Sequence, residues 1–333
     1  MQTRKLGFTD LQLTTIGLGT WAIGGPWDYG WGPQRDEDSL RTIEEALDYG
    51  INWIDTAPAY GLGHSETIVG QALRGRRDQV IVATKCGRVW DDPGAGHIFG
   101  RLKAASVRRE AEESLRRLGV EVIDLYQIHW PDPEEDIEEA WTEIAKLVDE
   151  GKIRYAGVSN FNVAQIRRAQ DIHPVASLQP PYSMLARGVE EELLPFCAAH
   201  DIGVVAYSPM QAGLLTGKFT PEKVAALPAG DWRHKSSHFQ QPVLELNLNL
   251  VEQLRPVAER HGRSLAELAI AWVLRRTEMT AAIVGARRPG QIAQTAVAGD
   301  WHLDAEDSAA IDALLIAAQA QREVLVAKEE DGG

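Results

Sequence analysis

The feature that most constrains the fold is an alternation of eight short apolar runs with segments of helical periodicity. The runs are rich in Val, Ile and aromatic residues and have the length of β-strands. In chain order they read TTIGLG, NWIDTA, VIVATK, VIDLYQIH, YAGVSN, ASLQPPYS, GVVAYSP and AAIVGA. Helical patterns lie at 36–50, 65–73, 103–119, 136–151, 162–171, 189–200, 264–276 and 289–298. Such an alternation is typical of a parallel sheet covered by helices.

No linker rich in Gly, Ser or Pro divides the 333 residues into halves. The alternation therefore predicts one α/β domain over residues 1–333, folded as a closed (β/α)8 TIM barrel. An open, doubly wound sheet of this length is the alternative. A β-hairpin with its turn near Gly7 is predicted before the first strand, and the acidic segment 324–333 is predicted to be a flexible tail.

The composition excludes several classes of partner. The chain has 34 Lys plus Arg against 48 Asp plus Glu, a net charge of -14. Nucleic acids and anionic membranes bind to clustered Lys and Arg, so neither is an expected partner. No apolar run reaches the roughly 18 residues of a membrane span, and the first residues lack a secretory signal pattern, which predicts a cytoplasmic protein. Cys86 and Cys197 are expected to be free thiols, no metal-ligand spacing is present, and nothing indicates an oligomeric state.

Two long segments, 21–34 and 210 to about 249, follow the first and seventh predicted strands. Long loops at the carboxyl ends of barrel strands usually line an active site, so both are predicted to be its walls. Six tryptophans fall in loops after strands: Trp21, Trp27, Trp31, Trp90, Trp130 and Trp232. Two interpretations remain open, namely packing of the loops onto the barrel and a flat apolar pocket for a nicotinamide ring or a carbonyl compound.

Two sequence motifs resemble nucleotide-binding loops. The stretch from Gly17 to Ala22 fits G-x-G-x-x-A after a strand, but this motif must open a helix, and the following IGGPWDYGWGP is not a helical sequence. The stretch GLLTGKF at 213–219 is one residue short of a phosphate-binding loop and has Phe219 in place of the Ser or Thr that holds magnesium. A Rossmann domain and nucleotide hydrolysis are therefore not expected.

Four polar residues, Asp55, Tyr60, Lys85 and His129, lie at or just after the ends of the second, third and fourth predicted strands. Each alone is explained by a cap, a strand-end charge or packing. Together they predict a site that protonates a carbonyl oxygen. In this hypothesis Lys85 lowers the pKa of Tyr60, Asp55 keeps Lys85 charged, and His129 donates a hydrogen bond to the carbonyl oxygen.

From residue 17 to residue 291 the chain resembles the aldo-keto reductases. The motifs that carry the resemblance are GLGTW, DTAPAYG with Ser-Glu shortly after, ATK, DLYQIHW, GVSNF, AYSP and GARRPGQ, in the family's order. The resemblance implies NADPH-dependent reduction of small aldehydes or ketones, reversible with alcohols or polyols, by a (β/α)8 barrel that binds NADPH or NADP+, with NADH weaker. It also implies that Tyr60 is the general acid and that Asp55, Lys85 and His129 complete the catalytic tetrad.

The resemblance further assigns binding residues. At the nicotinamide end they are Gly19, Thr20, Trp21, Asp55, Ser159, Asn160, Gln179 and Tyr207. Over the pyrophosphate they are Ser208, Pro209, Met210, Gln211, Gly213, Leu214, Gly217 and Lys218. At the adenosine end they are Gly285, Arg287 for the 2′-phosphate, Gln291, Gln294 and Thr295, although related chains often have Glu and Asn at the last two positions. Trp21, Trp27, Trp90 and Trp130 are the expected substrate contacts.

Two other functions fit the same barrel. One is a cofactor-binding regulatory or redox-sensing subunit with weak reductase activity, like the β-subunits of voltage-gated potassium channels, which usually have Asn where this chain has His129. The other is a Schiff-base aldolase with Lys85 as nucleophile. That lysine would have to be neutral, and Asp55 beside it favours the charged form.

Overall fold

The computed structural model of the chain describes residues 1–27, 29–91 and 97–331. Within them, the strands are β1 (Thr3–Lys5), β2 (Gln12–Thr14), β3 (Ile16–Gly19), β4 (Trp53–Asp55), β5 (Ile81–Cys86), β6 (Arg88–Val89), β7 (Phe99–Gly100), β8 (Ile123–Ile128), β9 (Ile153–Ser159), β10 (Ser177–Gln179), β11 (Gly203–Ala206) and β12 (Met279–Gly285). The α-helices are α1 (Asp36–Asp48), α2 (His64–Ala72), α3 (Ala104–Leu118), α4 (Ile137–Asp149), α5 (Val163–Gln170), α6 (Leu193–Ala199), α7 (Pro221–Ala225), α8 (Val243–Arg260), α9 (Leu265–Leu274) and α10 (Ala305–Asp331).

Eight parallel strands close into a barrel in the order β3-β4-β5-β8-β9-β10-β11-β12. The barrel closes where β12 pairs with β3, with Ala282 opposite Ile16 and Gly285 opposite Gly19. The predicted TIM barrel is therefore confirmed, and the open doubly wound sheet is excluded. All eight predicted strands are present at the predicted places in the chain.

The predicted N-terminal hairpin, β1 with β2, is also confirmed and closes one end of the barrel. Leu6, Leu11 and Leu13 from this segment are at most 3% exposed and pack with Trp53 and Leu125 of the barrel interior. The hairpin covers the end at which the strands begin. The opposite end, where the strands finish, is left for a functional site.

The outer layer of helices packs on the barrel through apolar faces. Trp141 of α4 and Trp272 of α9 are fully buried in the large cluster between helices and strands. Sequence signals fix where several helices begin. Asn162 and Ser264 each form a capping box, with Gln165 and Glu267 respectively, at the starts of α5 and α9.

Two of the sequence predictions for helices and loops were wrong. The helix predicted at 289–298 is a pair of 3-10 turns, Ile292–Gln294 and Ala296–Asp300, because Gly290 has a φ of 82° and interrupts the start. The loop predicted up to residue 249 contains α7 and the first turns of α8. In the leucine-rich start of α8 the leucines alternate along the chain, which hides the helical spacing of the buried Leu244, Asn247 and Val251.

Some features lie beyond the sequence predictions. A small antiparallel hairpin of β6 and β7 follows β5. Helix α10 continues to Asp331, into the segment 324–333 that is predicted to be a flexible tail. The flexibility of that segment stays a prediction, and so does the assignment of residues 1–333 to a single domain. In the part of the chain that the structure describes, no helix is long and apolar enough to cross a membrane. Cys86 and Cys197 are buried free thiols, as expected.

Candidate active site

Three neighbouring barrel strands bring the predicted tetrad together at the end of the barrel where they finish. Asp55 ends β4, Lys85 is the last residue but one of β5, and His129 directly follows β8. Tyr60 lies in the turn after β4. Lys85 Nζ is 2.7 Å from Asp55 Oδ1 and 3.3 Å from Tyr60 Oη. The ring centroids of Tyr60 and His129 are 5.8 Å apart, so the four side chains form one site.

Lys85 and Asp55 form a buried ion pair at the base of this site. Lys85 is 0% exposed and Asp55 is 3% exposed. Lys85 Nζ also donates to the Thr56 carbonyl oxygen at 3.0 Å, and Gln179 Nε2 donates to Asp55 Oδ2 at 2.8 Å. Because both carboxylate oxygens have a donor, the orientation of Asp55 is fixed, as is the direction of the lysine side chain.

The turn that carries Tyr60 is held by a close approach of two glycines. Gly61 has a φ of 65°, and a Cβ added there would lie 1.9 Å from the carbonyl oxygen of Gly24. A Cβ at Gly24 would lie 2.7 Å from the carbonyl carbon of Tyr60. The loop after β3 therefore packs its backbone directly against the tyrosine turn, which is possible only with glycine on both sides.

Burial determines the protonation of Tyr60. Burial of the phenol, together with the nearby Asp55 carboxylate, raises the pKa of Tyr60 well above 10.0. This upward shift is opposite in direction to the lowering expected from Lys85, because burial disfavours the phenolate and the Asp55 charge adds to that effect. Burial lowers the pKa of Lys85, while Asp55 and Glu66 oppose that shift. At neutral pH the phenol is therefore a proton donor.

His129 is held by its backbone on both sides of the strand end. Its N–H donates to the Cys86 carbonyl oxygen at 2.9 Å, and its carbonyl oxygen accepts from Asn160 Nδ2 at 2.9 Å. Burial and the cations Lys85 and Arg88 lower the pKa of His129 well below 6.5. The imidazole is neutral at pH 7 and can offer one N–H to an oxygen beside the Tyr60 hydroxyl.

The predicted nicotinamide residues form a polar network beside the tetrad. Ser159 Oγ donates to the Gln179 carbonyl oxygen at 2.8 Å, and Tyr207 Oη donates to Asn160 Oδ1 at 2.9 Å. Asn160 has a φ of 63°, which turns its amide toward both His129 and Ser159. Thr20 is fully buried and its hydroxyl donates to the Asp55 carbonyl oxygen at 3.1 Å. Its side chain thus anchors the end of β4.

The loop predicted to cover a pyrophosphate has an unusual backbone. Three consecutive residues, Gln211, Ala212 and Gly213, have positive φ values of 47°, 53° and 90°. Ser208 and Gly217 have φ values of 55° and 69°. Turns of this kind make concave stretches of backbone N–H groups that suit anions. The side chain of Leu214 is fully buried among apolar residues, which leaves only its backbone for contact with an anion. The side chain of Lys218 is exposed.

The side chain that follows β12, Arg287, is bound to another part of the protein. All three branches of the Arg287 guanidinium are engaged: Nε donates to Gln34 Oε1, and the two terminal nitrogens donate to the carbonyl oxygens of Trp31 and Pro33, at 2.6–2.9 Å. Arg287 was predicted to hold a 2′-phosphate, yet its donors go to the loop after β3. Nothing lies within 4 Å of the position of a Cβ at Gly285, so the backbone is open there.

The remaining predicted adenosine contacts are dispersed. Gln291 Oε1 accepts from the backbone N–H groups of Arg287 and Arg288, at 2.8 and 2.9 Å. Gln294 is exposed, whereas Thr295 is 7% exposed and its hydroxyl donates to the Ile292 carbonyl oxygen. The amide and hydroxyl cluster, the concave loop and the open glycine together fit an extended nicotinamide dinucleotide.

The two long loops meet above the tetrad through tryptophans. Trp21, Trp31 and Trp232 form a tryptophan cluster, with ring centroids 5.1–5.9 Å apart. Trp27 lies over the tetrad, with its ring centroid 6.2 Å from that of Tyr60. The tryptophan cluster thus packs the two loops together, as the first interpretation expected. Trp27 lies where a wall of the site would be, and its contact with a nicotinamide ring or a carbonyl compound stays a prediction. A cavity of about 600 Å³ opens beside it, lined by Trp27, Tyr29, Gly230, Trp232, Lys235 and Ser236.

The other two predicted substrate tryptophans lie apart from this cluster. Trp130 is 41% exposed and packs under the Arg88 guanidinium, 5.7 Å from its ring centroid. Trp90 follows β6 and is half-buried. Within the described residues, neither ring stacks on Tyr60 or His129. Their contact with a substrate stays a prediction.

The sequence predictions missed several residues that shape the site. Glu66 is fully buried and accepts from Thr84 Oγ1 and Arg117 Nε, both at 2.6 Å. It belongs to the Ser-Glu pair noted after DTAPAYG, but nothing in the sequence showed its partners. Gln34 and its contacts with Arg287 join positions 253 residues apart and carried no sequence signal.

Comparison with known proteins agrees with this geometry. A family model described as the aldo/keto reductase family matches residues 15–316. Aldo-keto reductase YhdN of Bacillus subtilis is 41% identical over 318 residues, covering 95% of this chain and 94% of the relative. The NADH-specific methylglyoxal reductase of Escherichia coli is 38% identical over 320 residues, covering 92% of this chain and 96% of the relative.

Solved structures show the same similarity. The glycerol dehydrogenase AKR11B4 from Gluconobacter oxydans matches with a TM-score of 0.85 and 42% identity, covering 94% of this chain and 95% of that one. The aldo-keto reductase AKR11C1 from Bacillus halodurans, in its holo form, matches with a TM-score of 0.79 and 29% identity, covering 94% and 96%. In sequence and in fold, over nearly its whole length, this chain is a member of the aldo/keto reductase family.

Proposed function

We propose that the protein reduces small aldehydes and ketones, and in reverse oxidises alcohols or polyols, with Tyr60 as the general acid. The observation that carries the proposal is the contact of Lys85 Nζ with both Asp55 Oδ1 and Tyr60 Oη, at 2.7 and 3.3 Å. A protonated phenol aimed by a buried ion pair is suited to give its proton to a carbonyl oxygen.

Each residue of the tetrad has a distinct task in this proposal. Tyr60 donates the proton, and His129, as a neutral imidazole, offers an N–H to the same oxygen. Lys85 aims the tyrosine and supplies positive charge near the developing alkoxide. Asp55 holds the lysine through one oxygen and Gln179 through the other. A bound nicotinamide cofactor would supply the hydride.

We propose that the substrates are small, oxygen-rich carbonyl compounds and polyols. Trp27 over Tyr60 supports an apolar wall, and the adjoining cavity of about 600 Å³, which Lys235 and Ser236 also line, has the size of a small-molecule site. Two relatives are named for compounds of this kind, a methylglyoxal reductase and a glycerol dehydrogenase. Their names give the first candidates for a substrate panel.

We propose NADPH as the preferred cofactor, with NADH weaker. The support is positive charge at the end of β12, where Arg288 and Arg233 lie close enough to Arg287 to lower its pKa, after the larger effect of burial. The 38% identical relative is named as NADH-specific, so preference within the family varies. Both cofactors therefore belong in every assay.

The test is a Tyr60→Phe variant assayed with methylglyoxal, glycerol and a panel of small aldehydes, with NADPH and NADH. The variant loses one hydroxyl, so cofactor binding, measured by the quenching of tryptophan fluorescence, should persist. The rate of carbonyl reduction should fall about 10²–10⁴-fold. Tyr49→Phe, at the exposed end of α1, is the matched control and should keep full activity. Full turnover by Tyr60→Phe would overturn the mechanism.

The same assays address the two other functions. Tight cofactor binding by the wild-type protein with no turnover on any carbonyl compound would indicate a regulatory subunit. Covalent trapping of a substrate on Lys85 by borohydride would indicate an aldolase. Against that function, Lys85 Nζ already has Asp55, Thr56 and Tyr60 as partners.

A further inference from the structure

A single guanidinium joins the end of β12 to the loop after β3. Arg287 Nε donates to Gln34 Oε1 at 2.9 Å, and the terminal nitrogens donate to the Trp31 and Pro33 carbonyl oxygens at 2.6 and 2.7 Å. Gln34 Nε2 donates in return to the Arg287 carbonyl oxygen at 2.6 Å. Each branch of the planar fork has an acceptor, an arrangement that arginine can make and lysine cannot.

These contacts hold the loop close to the tryptophans that lie beside the tetrad. Trp31, whose carbonyl oxygen is one acceptor, packs in the tryptophan cluster, and the Arg233 guanidinium lies 4.7 Å from its ring centroid. Four residues earlier, Trp27 lies over Tyr60. Release of Trp31 and Gln34 would therefore free the segment that forms the wall over the tetrad.

We propose that Arg287 and Gln34 form a latch that fixes the substrate wall, and that Arg287 is a positioning residue for the loop rather than the ligand of a 2′-phosphate. The latch is defined by Arg287, Trp31, Pro33 and Gln34. It makes the shape of the substrate pocket depend on a residue at the end of β12, the strand next to β3 in the barrel.

If Arg287 holds the loop, a different cation has to bind the 2′-phosphate of NADPH. Arg288 is exposed, and among the described residues its guanidinium has no hydrogen-bond or ion-pair partner. Its backbone N–H and that of Arg287 both donate to Gln291 Oε1, which fixes the turn that carries it. We therefore expect Arg288, rather than Arg287, to contact the 2′-phosphate of a bound NADPH, while the charge of Arg287 contributes only at a distance.

Chymotryptic cleavage measures the latch without any enzyme assay. The rate of cleavage after the aromatic residues at 27–31, measured by mass spectrometry, reports how often the loop opens. Arg287→Lys keeps the charge but loses the fork, and Gln34→Leu removes the acceptor and the return donor. Since each loses two or more hydrogen bonds, cleavage there should rise about tenfold or more in both. Arg288→Lys is the matched control and should leave the cleavage rate unchanged.

A double variant tests whether the two residues act as one unit. Arg287→Lys with Gln34→Leu should be cleaved little faster than the faster single variant, because each change breaks the same latch. Independent, multiplicative effects, or an unchanged rate in Gln34→Leu, would overturn the latch. Gln34→Leu keeps the test decisive if the Arg287 variant does not fold.

A kinetic arm, which rests on the proposed function, separates the latch from phosphate binding. The latch predicts that Arg287→Lys and Gln34→Leu raise the KM for the carbonyl substrate by the same factor with NADPH and with NADH. Arg288→Ala should instead weaken NADPH selectively, about tenfold or more. If Arg287→Lys selectively lost affinity for NADPH and its loop were cleaved at the wild-type rate, Arg287 would be the ligand of the 2′-phosphate and the latch would be overturned. If no activity is found at all, the cleavage result still decides the latch.

Discussion

Gln179 donates a hydrogen bond from Nε2 to Asp55 Oδ2 at 2.8 Å, on the carboxylate oxygen opposite the one that Lys85 contacts at 2.7 Å. The amide thus joins a predicted cofactor residue to the buried ion pair of the tetrad. Because Asp55 has a donor on each oxygen, its carboxylate cannot turn to release Lys85 without losing the contact with Gln179.

This arrangement predicts unequal effects of two substitutions. Asp55→Asn removes the counter-charge of a fully buried ammonium, so the free energy of unfolding should fall by about 3–5 kcal/mol and carbonyl reduction should be lost. Gln179→Met removes one hydrogen bond to a charged group and should cost about 1.5–3 kcal/mol. Urea unfolding of the two variants checks the order. Equal losses would mean that the charge of Asp55 contributes nothing beyond its hydrogen bond.

The convergence of the tetrad could be predicted because it depends only on where strands end. Asp55, Lys85 and His129 each stand at the end of an apolar run, and parallel strands finish at one rim. The sign of the Tyr60 pKa shift could not be predicted in this way. It depends on how deeply the phenol is buried and on whether Lys85 is already paired, and neither is visible in the spacing of residues.

Contacts between distant loops mark another limit of sequence patterns. The latch joins Gln34 to Arg287 through side-chain and carbonyl acceptors, and no periodicity relates two irregular segments. The start of α8 shows a different limit, since it was predicted to belong to a loop and its local pattern does not reveal the helix. Leucines at alternate positions indicate a strand, yet the buried residues of α8 follow helical spacing.

Glu110 on α3 is a buried carboxyl group that gives stability a measurable pH dependence. It is 4% exposed and accepts hydrogen bonds from the backbone N–H of Gly87 and from Ser106 Oγ. Burial raises the pKa of Glu110 to about 7 from 4.5, against the opposing effect of these hydrogen bonds. The folded protein therefore holds this proton more tightly than the unfolded chain does.

The sign of the effect follows from that difference. The stabilisation is fully present below pH 4.5 and is lost as the pH rises through about 7. Glu110→Gln is neutral at every pH and lacks this dependence. Between about pH 5 and pH 8 the wild-type protein should lose about 2–3 kcal/mol of unfolding free energy relative to Glu110→Gln, measured by urea unfolding. A constant difference would place the Glu110 carboxylate in contact with solvent.

Arg117 connects one buried and one more exposed glutamate, which gives a matched comparison. Its Nε lies 2.6 Å from Glu66 Oε2, and a terminal nitrogen lies 3.6 Å from Glu113 Oε2. Glu66 is fully buried and also accepts from Thr84 Oγ1. Glu66→Gln leaves the arginine without its buried partner and should lower the unfolding free energy by about 3 kcal/mol or more.

Glu113→Gln breaks the weaker, more exposed contact of the same guanidinium and should change stability by less than about 1 kcal/mol. Because Glu66 also opposes the lowering of the Lys85 pKa by burial, Glu66→Gln should reduce carbonyl reduction as well. Thermal or urea unfolding of the two variants, with the reductase assay, checks both points. A loss of similar size in both variants would contradict the buried role of Glu66.

Gly61 and Gly75 offer a pair of glycines with similar backbones and different surroundings. Their φ values are 65° and 76°, so alanine at either position pays for a left-handed conformation, about 1–2 kcal/mol. At Gly75 nothing lies within 4 Å of the added Cβ, whereas at Gly61 it would meet the Gly24 carbonyl oxygen at 1.9 Å. Gly61→Ala must therefore separate the loop after β3 from the Tyr60 turn. It should cost several kcal/mol more than Gly75→Ala and displace the tyrosine, so reductase activity should fall sharply in Gly61→Ala alone. If both variants kept the activity of the wild-type protein, the position of Tyr60 would not depend on the contact between Gly24 and Gly61.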